Sequence, residues 1–256
     1  METIPTAFVE ELRLEDISFS EEQMRERYGS AYNRIVKRII DFFMALVFII
    51  VLSPVLLIVT LCIALETGFP VLYRPLRGGY KNKPFRICKF RTMVKDADKI
   101  GGGTTALNDS RITKIGAILR KTKLDEIVQL FNVLNGSMAF VGPRPELLKY
   151  TEAYDALEKN ILMVRPGITD FSSITLINLD EIVGSQNADE MYEKYVLKKK
   201  NQLRLKYVLQ VSFKTDCKLF FYTIYRVICK ALKFIFRRKT DIAKKETKSV
   251  SATLQK

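Results

Sequence analysis

The chain has 256 residues, 48% of them hydrophobic, and its 42 Lys and Arg against 28 Asp and Glu give a formal net charge of +14 at pH 7. Such a surplus of cations fits a polyanionic partner: nucleic acid, anionic lipid headgroups or a phosphorylated substrate. Histidine is absent, and the cysteines, Cys62, Cys88, Cys217 and Cys229, include no C-x-x-C pair. Neither a disulfide framework nor a zinc site is therefore indicated, and reduced thiols fit best.

The first segment, residues 1–33, carries eight acidic side chains and three arginines with weak hydrophobic periodicity. We interpret it as a partly ordered acidic leader whose function the sequence does not indicate. Residues 71–210, after the apolar segment described next, are long enough for one hydrophobic core and form the candidate catalytic domain.

Residues 42–65 are uncharged and mostly apolar. A helix of this length measures about 36 Å, against a hydrocarbon core of roughly 30 Å, so it is long enough to cross a bilayer. Pro54 lacks an N–H and pushes Ser53 away from helical dihedral angles, which predicts a kink or break there. Each half would be about 18 Å long, enough to reach the middle of the bilayer and return.

Cationic side chains flank this apolar run on both sides. They are Arg34, Lys37 and Arg38 before it, and Arg74, Arg77, Lys81, Lys83, Arg86 and Lys89 after it. Since such flanks prefer the cytoplasmic side, a re-entrant hairpin over residues 34–70 satisfies both ends, whereas one spanning helix does not. Proline is also common in spanning helices, so the residues alone leave both interpretations open.

Beyond the apolar run, short strands and helices are predicted. Residues 85–91 alternate after a Gly78-Gly79 turn, with Lys89 and Arg91 continuing the apolar face, which predicts a short strand. Residues 124–134 have apolar side chains at helical spacing and stop at Asn135-Gly136, which predicts a helix with one buried face.

The acid pair Asp125-Glu126 opens this predicted helix directly after the basic segment 120–123. A purely structural interpretation is available, because Thr122 and Asp125 resemble a capping box and acids are favoured in a first helical turn. The same position favours an ionised carboxylate, as an aspartate nucleophile or a magnesium ligand requires. Without histidine, acidic chemistry on a phosphate is the most available option.

Arg144 lies between Pro143 and Pro145, so its backbone is restricted and its guanidinium can meet a phosphate at low entropic cost. The same motif predicts an extended turn that feeds a helix at Glu146, and residues 165–167 predict a further turn. Arg144, taken alone, fits equally well as a surface arginine in a structural turn. Lys89 and Arg91 fit equally well as solvated cations. Phosphoryl chemistry could use all three cations as charge neutralisers.

The C-terminal segment 211–238 has cations every three or four residues from Lys214 to Arg237, with Phe220 and Ile224 among the apolar residues opposite. This pattern predicts an amphipathic helix in the headgroup plane. The alternative is a basic outer helix packed on the core. Residues 239–256 are polar and lysine-rich, and we predict that they are disordered.

Several short motifs occur in one order between residues 34 and 175. They are Lys37-Arg38-x-x-Asp41, the apolar run with Ser53-Pro54, Lys89-Phe90-Arg91-Thr92-Met93, Leu119-Arg120-Lys121-x-x-Leu124-Asp125-Glu126, Val141-Gly142-Pro143-Arg144-Pro145-Glu146 and Arg165-Pro166-Gly167-Ile168-Thr169. In this order they resemble the bacterial sugar transferase family, the monotopic polyprenyl-phosphate phosphoglycosyl transferases, in its minimal form. Val128 and Asp170 depart from the family pattern, where proline and glycine are common; the departures leave the chemistry untouched but bear on donor recognition.

The resemblance implies transfer of sugar-1-phosphate from a UDP-sugar to undecaprenyl phosphate, with release of UMP, to start a surface glycan such as O-antigen or capsule. It implies that Asp125 is the nucleophile of a covalent phosphosugar intermediate and that Glu126, with Asp125, holds Mg²⁺. The cations implied to neutralise phosphates are Lys89, Arg91, Arg120 and Arg144. Those implied to meet the polyprenyl phosphate are Lys37 and Arg38, with Ser53-Pro54 as the break of the re-entrant helix.

We therefore predict a small mixed α+β domain on the cytoplasmic face of the bacterial inner membrane, resting on a re-entrant helix-break-helix segment and interfacial amphipathic helices. Which sugar is carried, and whether the protein is a homo-oligomer, stay open. One rival is a non-catalytic membrane-anchored lipid-binding or scaffold module, in which Asp125→Asn would leave function intact. A nucleic-acid binder is disfavoured by the acid pair and the apolar run.

Overall fold

A computed structural model describes residues 19–100, 109–176 and 188–229, which form helices joined by short strands. The prediction of a mixed α+β fold is confirmed. Most of the predicted leader, the Gly101-Gly102-Gly103 loop, residues 230–238 of the predicted amphipathic helix and the predicted disordered tail, 239–256, lie outside the described residues.

The N-terminal helix α1, Glu21–Gly29, is part of the folded domain. Ser20 caps it by accepting a hydrogen bond from the backbone N–H of Gln23, and Glu21 and Glu22 follow in the first turn, where the helix dipole favours acids. Its one buried side chain, Met24, is fully buried in the main core. A helix with a single buried residue has no apolar stripe, which explains why the sequence pattern here is weak.

A π-helical turn, Tyr32–Val36, leads into the long helix α2, Lys37–Thr67. The helix contains Pro54 and continues through it, so the predicted break into two helices is not seen here. The hydroxyl of Ser53 donates to the carbonyl oxygen of Ile50 at 2.8 Å. That oxygen is the acceptor that the missing N–H of Pro54 leaves free, so a local substitute supports the continuous helix.

The first half of α2 is fastened to the domain by polar contacts. The guanidinium of Arg38 donates to the carbonyl oxygens of Val133 and Leu134 at 2.6 and 2.7 Å. Asp41 accepts a hydrogen bond from the backbone N–H of Phe140 at 3.3 Å.

The second half of α2 is fastened to the same domain. Glu66 accepts a hydrogen bond from the backbone N–H of Ile115 at 3.2 Å. Arg91 donates to the carbonyl oxygens of Thr67 and Gly68 at 2.9 and 2.6 Å, capping the end of the helix.

Between these attachments the outer face of α2 is exposed and apolar, including Phe43, Val47, Ile50, Val51, Leu57, Ile58, Leu61 and Leu65. Among the described residues, Tyr32–Thr67 is the one helix long and apolar enough to cross a membrane. An apolar surface of this extent marks an interaction site rather than a solvent-facing one.

Short strands follow α2 as two antiparallel pairs. Strands β1, Leu72–Tyr73, and β4, Lys89–Phe90, form the outer pair. Strands β2, Leu76–Arg77, and β3, Phe85–Arg86, form the inner pair around a 3₁₀ turn at Tyr80–Asn82. The strand predicted over residues 85–91 is thus interrupted at Ile87 and Cys88, both buried.

The chain then forms several helices, one of which contains the acid pair. Helix α3 is Ala97–Ile100, and helix α4, Lys114–Thr122, is capped by Thr113. After it come a 3₁₀ helix, Leu124–Gln129, and helix α5, Leu130–Leu134. The predicted stop is confirmed, with Gly136 at φ 85°.

The proposed capping box at Thr122 is wrong. Its hydroxyl donates back to the carbonyl oxygen of Ile118 at 2.8 Å and so belongs to the end of α4. The residue before the 3₁₀ helix is Lys123, which has a left-handed conformation (φ 61°) and makes no side-chain cap. This left-handed residue ends α4, so residues 124–134 start as a separate element.

Strands β5, Ala139–Val141, and β6, Gly167–Thr169, pair in parallel. Their ends approach so closely that a Cβ on Gly142 would lie 2.3 Å from the carbonyl oxygen of Arg165. Glycine is therefore required where the Pro-Arg-Pro turn begins. Helix α6, Leu148–Glu152, and a 3₁₀ helix, Glu158–Met163, lie between these strands in the chain, and helix α7, Phe171–Thr175, follows β6. The helix predicted to begin at Glu146 thus begins two residues later.

Residues 188–229, the last described part of the chain, are mostly helical. Helix α8, Ala188–Met191, a π-helical turn, Tyr192–Val196, and helix α9, Leu197–Gln210, follow one another. Helix α10 covers 213–229. It packs on the core through Phe220, whose ring lies 5.6 Å from that of Phe140 and 6.3 Å from that of Phe48 on α2. Its exposed side includes Phe213, Phe221, Tyr222, Ile224, Tyr225 and Ile228.

Candidate active site

The acid pair lies in the first turn of the 3₁₀ helix, directly after the left-handed Lys123. The carboxyl group of Asp125 is buried, and its Oδ1 atom has no hydrogen-bond partner. Glu126 uses Oε1 to accept hydrogen bonds from the ammonium of Lys89, at 3.2 Å, and from the guanidinium of Arg144. The structure therefore brings together the predicted acid pair and two of the predicted cations.

The two carboxyl groups differ in their electrostatic environment. Burial raises the pKa of Asp125, the charge of Glu126 raises it further, and the charges of Lys89, Lys123 and Arg120 oppose the change. Burial would also raise the pKa of Glu126, but Arg144 and Lys89 hold it well below its usual range. Burial therefore favours the neutral form of Asp125, against the prediction that the surrounding cations keep it ionised. Glu126, by contrast, is firmly ionised.

The residues present fit a magnesium ion in part. Two adjacent carboxylates offer the oxygen ligands that Mg²⁺ prefers, and Oδ1 of Asp125 is a buried acceptor without a partner. Oε1 of Glu126 is already engaged by Lys89 and Arg144. No group of three or more potential ligand side chains occurs among the described residues. An ion held here would take its other ligands from substrate phosphates and water, as Mg²⁺ commonly does.

Arg144 is held in place by three different acceptors. Its backbone N–H donates to Asp170 at 3.1 Å, and its guanidinium donates to the carbonyl oxygen of Ile168 at 3.0 Å and to Glu126. Asp170 is fully buried and also accepts hydrogen bonds from Ser172 and Ser173. Asp170, noted in the sequence only as a departure from the family pattern, therefore positions the Pro-Arg-Pro turn.

Arg120 is the least engaged of the predicted cations. Its guanidinium lies 3.5 Å from the hydroxyl of Thr92, and it forms no ion pair within the described part of the chain. Its charge nevertheless acts on Asp125. Lys123, which the sequence did not single out, acts on both acids. Arg120 and Lys123 are therefore available to an anionic substrate that binds at the acid pair.

The other predicted cations lie in structural contacts. Arg91 is buried and caps α2. Lys37 is buried, pairs with Asp216 on α10 and lies 3.2 Å from the hydroxyl of Tyr207. Arg38 caps α5, as described above. A phosphate could reach Lys37 only by displacing Asp216, so the headgroup role of Lys37 and Arg38 stays a prediction.

Sequence reasoning missed a buried charge cluster behind the Pro-Arg-Pro turn. Glu146 accepts hydrogen bonds from Tyr192 at 2.5 Å, Lys200 at 3.2 Å and Arg204 at 2.8 Å. Burial would raise the pKa of Glu146, but Lys200 and Arg204 hold it far below its usual range. Burial lowers the pKa of Lys200 to about 8. The sequence shows that Glu146 follows Pro145, but it does not predict the partners of this carboxylate, which lie more than 45 residues away in the chain.

Comparison with known proteins gives a consistent result. Residues 32–230 match the family described as bacterial sugar transferase. The chain is 35% identical, over 201 residues, to the UDP-glucose:undecaprenyl-phosphate glucose-1-phosphate transferase of Escherichia coli (strain K12), covering 77% of this chain and 41% of that protein. It is 34% identical, over 159 residues, to the UDP-N-acetylgalactosamine-undecaprenyl-phosphate N-acetylgalactosaminephosphotransferase of Aeromonas hydrophila, covering 60% of this chain and 37% of that protein.

A shorter relative is matched over most of its length. The chain is 33% identical, over 194 residues, to the "Uncharacterized sugar transferase EpsL" of Bacillus subtilis (strain 168), covering 76% of this chain and 88% of that protein. The chain thus spans about two fifths of the two longer relatives. The part that matches the family, residues 32–230, contains the acid pair and its cations. The match over residues 32–230, together with this similarity, shows that the chain belongs to the bacterial sugar transferase family.

Proposed function

We propose that this protein is a phosphoglycosyl transferase that moves sugar-1-phosphate from a UDP-sugar to undecaprenyl phosphate, releasing UMP. The observation that carries the proposal is the buried, unpartnered carboxylate oxygen of Asp125 among several cations. A non-catalytic scaffold has no need of such an arrangement, because a buried carboxyl group without a partner is costly. Family membership and the names of two relatives support the same reaction class.

We propose a double displacement. The Asp125 carboxylate attacks the sugar-bearing phosphorus of the donor, an acyl phosphate bond forms, and the bond to the bridging oxygen breaks so that UMP leaves with that oxygen. A phosphate oxygen of undecaprenyl phosphate then attacks the same phosphorus, and the Asp125 carboxylate is released. Each substrate uses the site in turn, so the kinetics are ping-pong.

The neighbouring side chains serve this chemistry by position and charge. Glu126 holds Lys89 and Arg144 beside Asp125, and Arg120 adds a cation without an ion pair among the described residues. Together they offset the negative charge that a diphosphate brings to a carboxylate nucleophile. Bound Mg²⁺, held by Asp125 and Glu126, would supply further charge neutralisation.

We propose that the protein rests on one face of the membrane, with its catalytic domain on the cytoplasmic face of the bacterial inner membrane. Both ends of α2 are hydrogen-bonded to the same domain, through Arg38 at one end and Glu66 at the other. A straight spanning helix would carry one end away from the domain to the opposite face. The exposed apolar sides of α2 and α10 support insertion from that face.

This topology predicts that residues before and after α2 are accessible from the same side. Arg25 on α1 and Lys83 in the strand region are both exposed, so Arg25→Cys and Lys83→Cys provide the two reporters. With an impermeable maleimide, we expect both variants to be labelled in inside-out vesicles and neither in spheroplasts, above the background of the unsubstituted protein. Labelling of the two sites from opposite faces would contradict the proposal.

The reaction itself is tested with purified protein, undecaprenyl phosphate, Mg²⁺ and a panel of UDP-sugars. We expect UMP release with at least one donor, and transfer of the sugar phosphate to the lipid. The relatives named above use different sugars, glucose in one case and N-acetylgalactosamine in the other, so the panel must include both. Absence of UMP release with every donor would favour the lipid-binding or scaffold alternative. That the reaction starts O-antigen or capsule synthesis stays a prediction, and the oligomeric state stays open.

A further inference from the structure

Arg77, which the sequence presented only as one of several flanking cations, lies beside the Pro-Arg-Pro turn. It is on strand β2, paired with Phe85 of β3. The next residue, Gly78, donates its backbone N–H to the carbonyl oxygen of Glu146 at 3.0 Å. A Cβ on Gly78 would lie 2.6 Å from the side chain of Thr151, so the strand is in close contact with the region after the turn. The pairing with β3 and the contacts of Gly78 thus place the backbone of Arg77 next to the Pro-Arg-Pro turn.

The charge of Arg77 has no partner of its own among the described residues, where no hydrogen bond or ion pair of its guanidinium occurs. The nearby carboxylate, Glu146, is already paired with Lys200 and Arg204. Burial lowers the pKa of Arg77, the charge of Glu146 opposes the change, and the charge of Arg144 adds to it. A cation that is partly removed from water is stabilised by a nearby anion, and an anionic ligand would supply one here.

Lys89 and Arg144 share one carboxylate, Glu126, and Arg77 is a third cation whose charge interacts with both of them. The charges of Arg144 and Arg77 both act on Lys89, whose pKa is lowered mainly by burial. One carboxylate offsets one of three positive charges, so this group has a surplus that fits a dianion or a diphosphate. Arg120 and Lys123, which act on Asp125, are a separate pair of cations beside the nucleophile.

The order of these groups assigns them to different phosphates. Lys89 and Arg144 contact Glu126, the neighbour of Asp125, whereas Arg77 adjoins this region through Gly78, whose N–H contacts Glu146, two residues after Arg144. The sugar-bearing phosphorus must meet Asp125, so the nucleotide-side phosphate has to lie farther from that carboxylate. We propose that Arg77 binds the nucleotide-side phosphate of the donor, which leaves as the phosphate of UMP. This inference rests on the proposed function.

Ping-pong kinetics provide a specific test. The kcat/KM for the UDP-sugar reports only the first displacement, and the kcat/KM for undecaprenyl phosphate reports only the second. Loss of one charge-assisted hydrogen bond corresponds to a fall of about 10- to 100-fold. For Arg77→Gln we expect such a fall in kcat/KM for the donor and an unchanged value for the lipid. Arg77→Lys, which keeps the charge, should recover part of the loss.

Binding measurements separate recognition of the phosphate from a structural role. We expect Arg77→Gln to weaken the affinity for UMP by about 10- to 100-fold, measured by calorimetry, with affinity for uridine unchanged. Lys83→Gln, an exposed cation of the same strand region, is the matched control and should bind UMP like the wild type. The thermal unfolding midpoint of each variant checks the fold.

Some outcomes would overturn the assignment: an unchanged affinity for UMP, or equal falls in kcat/KM for both substrates. Failure of the proposed function can be distinguished from failure of the Arg77 assignment. If the wild type binds UMP and Arg77→Gln does not, yet no donor is turned over, then the transferase proposal fails while the phosphate site stands. If the wild type binds no UMP, the phosphate site is wrong.

Discussion

Replacement of Asp125 by Asn is expected to lower the rate of UMP release by roughly 10⁴-fold or more, as for other enzymes that lose a nucleophile. An amide cannot form the acyl phosphate bond, so the covalent intermediate should disappear as well. Mass spectrometry of protein quenched after mixing with an active UDP-sugar should find sugar phosphate on Asp125 of the wild type and none on the variant.

The same substitution is expected to leave the fold intact, because Oδ1 of Asp125 makes no hydrogen bond that an amide would lose. Asp155→Asn is the matched control. Asp155 is exposed and accepts a hydrogen bond from the backbone N–H of Glu158 at 2.7 Å, which Asn can also accept. Normal turnover by Asp125→Asn, with no adduct on the wild type, would exclude a covalent mechanism at this residue.

Replacement of Glu146 by Gln is expected to have the largest effect on stability. The change keeps the shape of the side chain but leaves Arg204, which is fully buried, and Lys200 without their carboxylate. Breaking a buried ion pair by removing one partner costs about 3–5 kcal/mol. For a protein of this size we therefore expect the thermal unfolding midpoint in detergent to fall by roughly 6–20 °C.

An exposed ion pair provides the comparison. Glu193 pairs with Lys149 at 2.9 Å, and both side chains are about half exposed, at 49% and 52%. Glu193→Gln should therefore leave the unfolding midpoint close to that of the wild type, since solvent screens such pairs. Equal midpoints for the Glu146 and Glu193 variants would show that the buried cluster does not stabilise the fold.

The Glu146 variant should also lose activity at temperatures where it remains folded. Glu146 follows the Pro-Arg-Pro turn directly, and its carbonyl oxygen accepts the hydrogen bond from Gly78. A shift of Glu146 would thus move both Arg144 and the strand that carries Arg77. A displacement of this kind changes the geometry of substrate binding, to which transfer rates are sensitive.

Several features could be predicted from the sequence because they depend on residues close together in the chain. The apolar helix follows from an uncharged run, and the end of α5 follows from Asn135-Gly136. The acid pair was recognisable because Asp125 and Glu126 are adjacent and follow basic residues. Even so, the capping box at Thr122 was wrong, since Lys123 takes a left-handed conformation that no short-range pattern indicated.

The partners of the charged residues were decided by tertiary structure alone. Lys37 pairs with Asp216, which is 179 residues away, and Glu146 accepts from Arg204, which is 58 residues away. Sequence patterns show that a cation is present, but packing decides whether burial removes its water and a carboxylate takes its place. For this reason Lys37 and Glu146 lie in internal ion pairs, while Arg120 and Arg77 form none among the described residues.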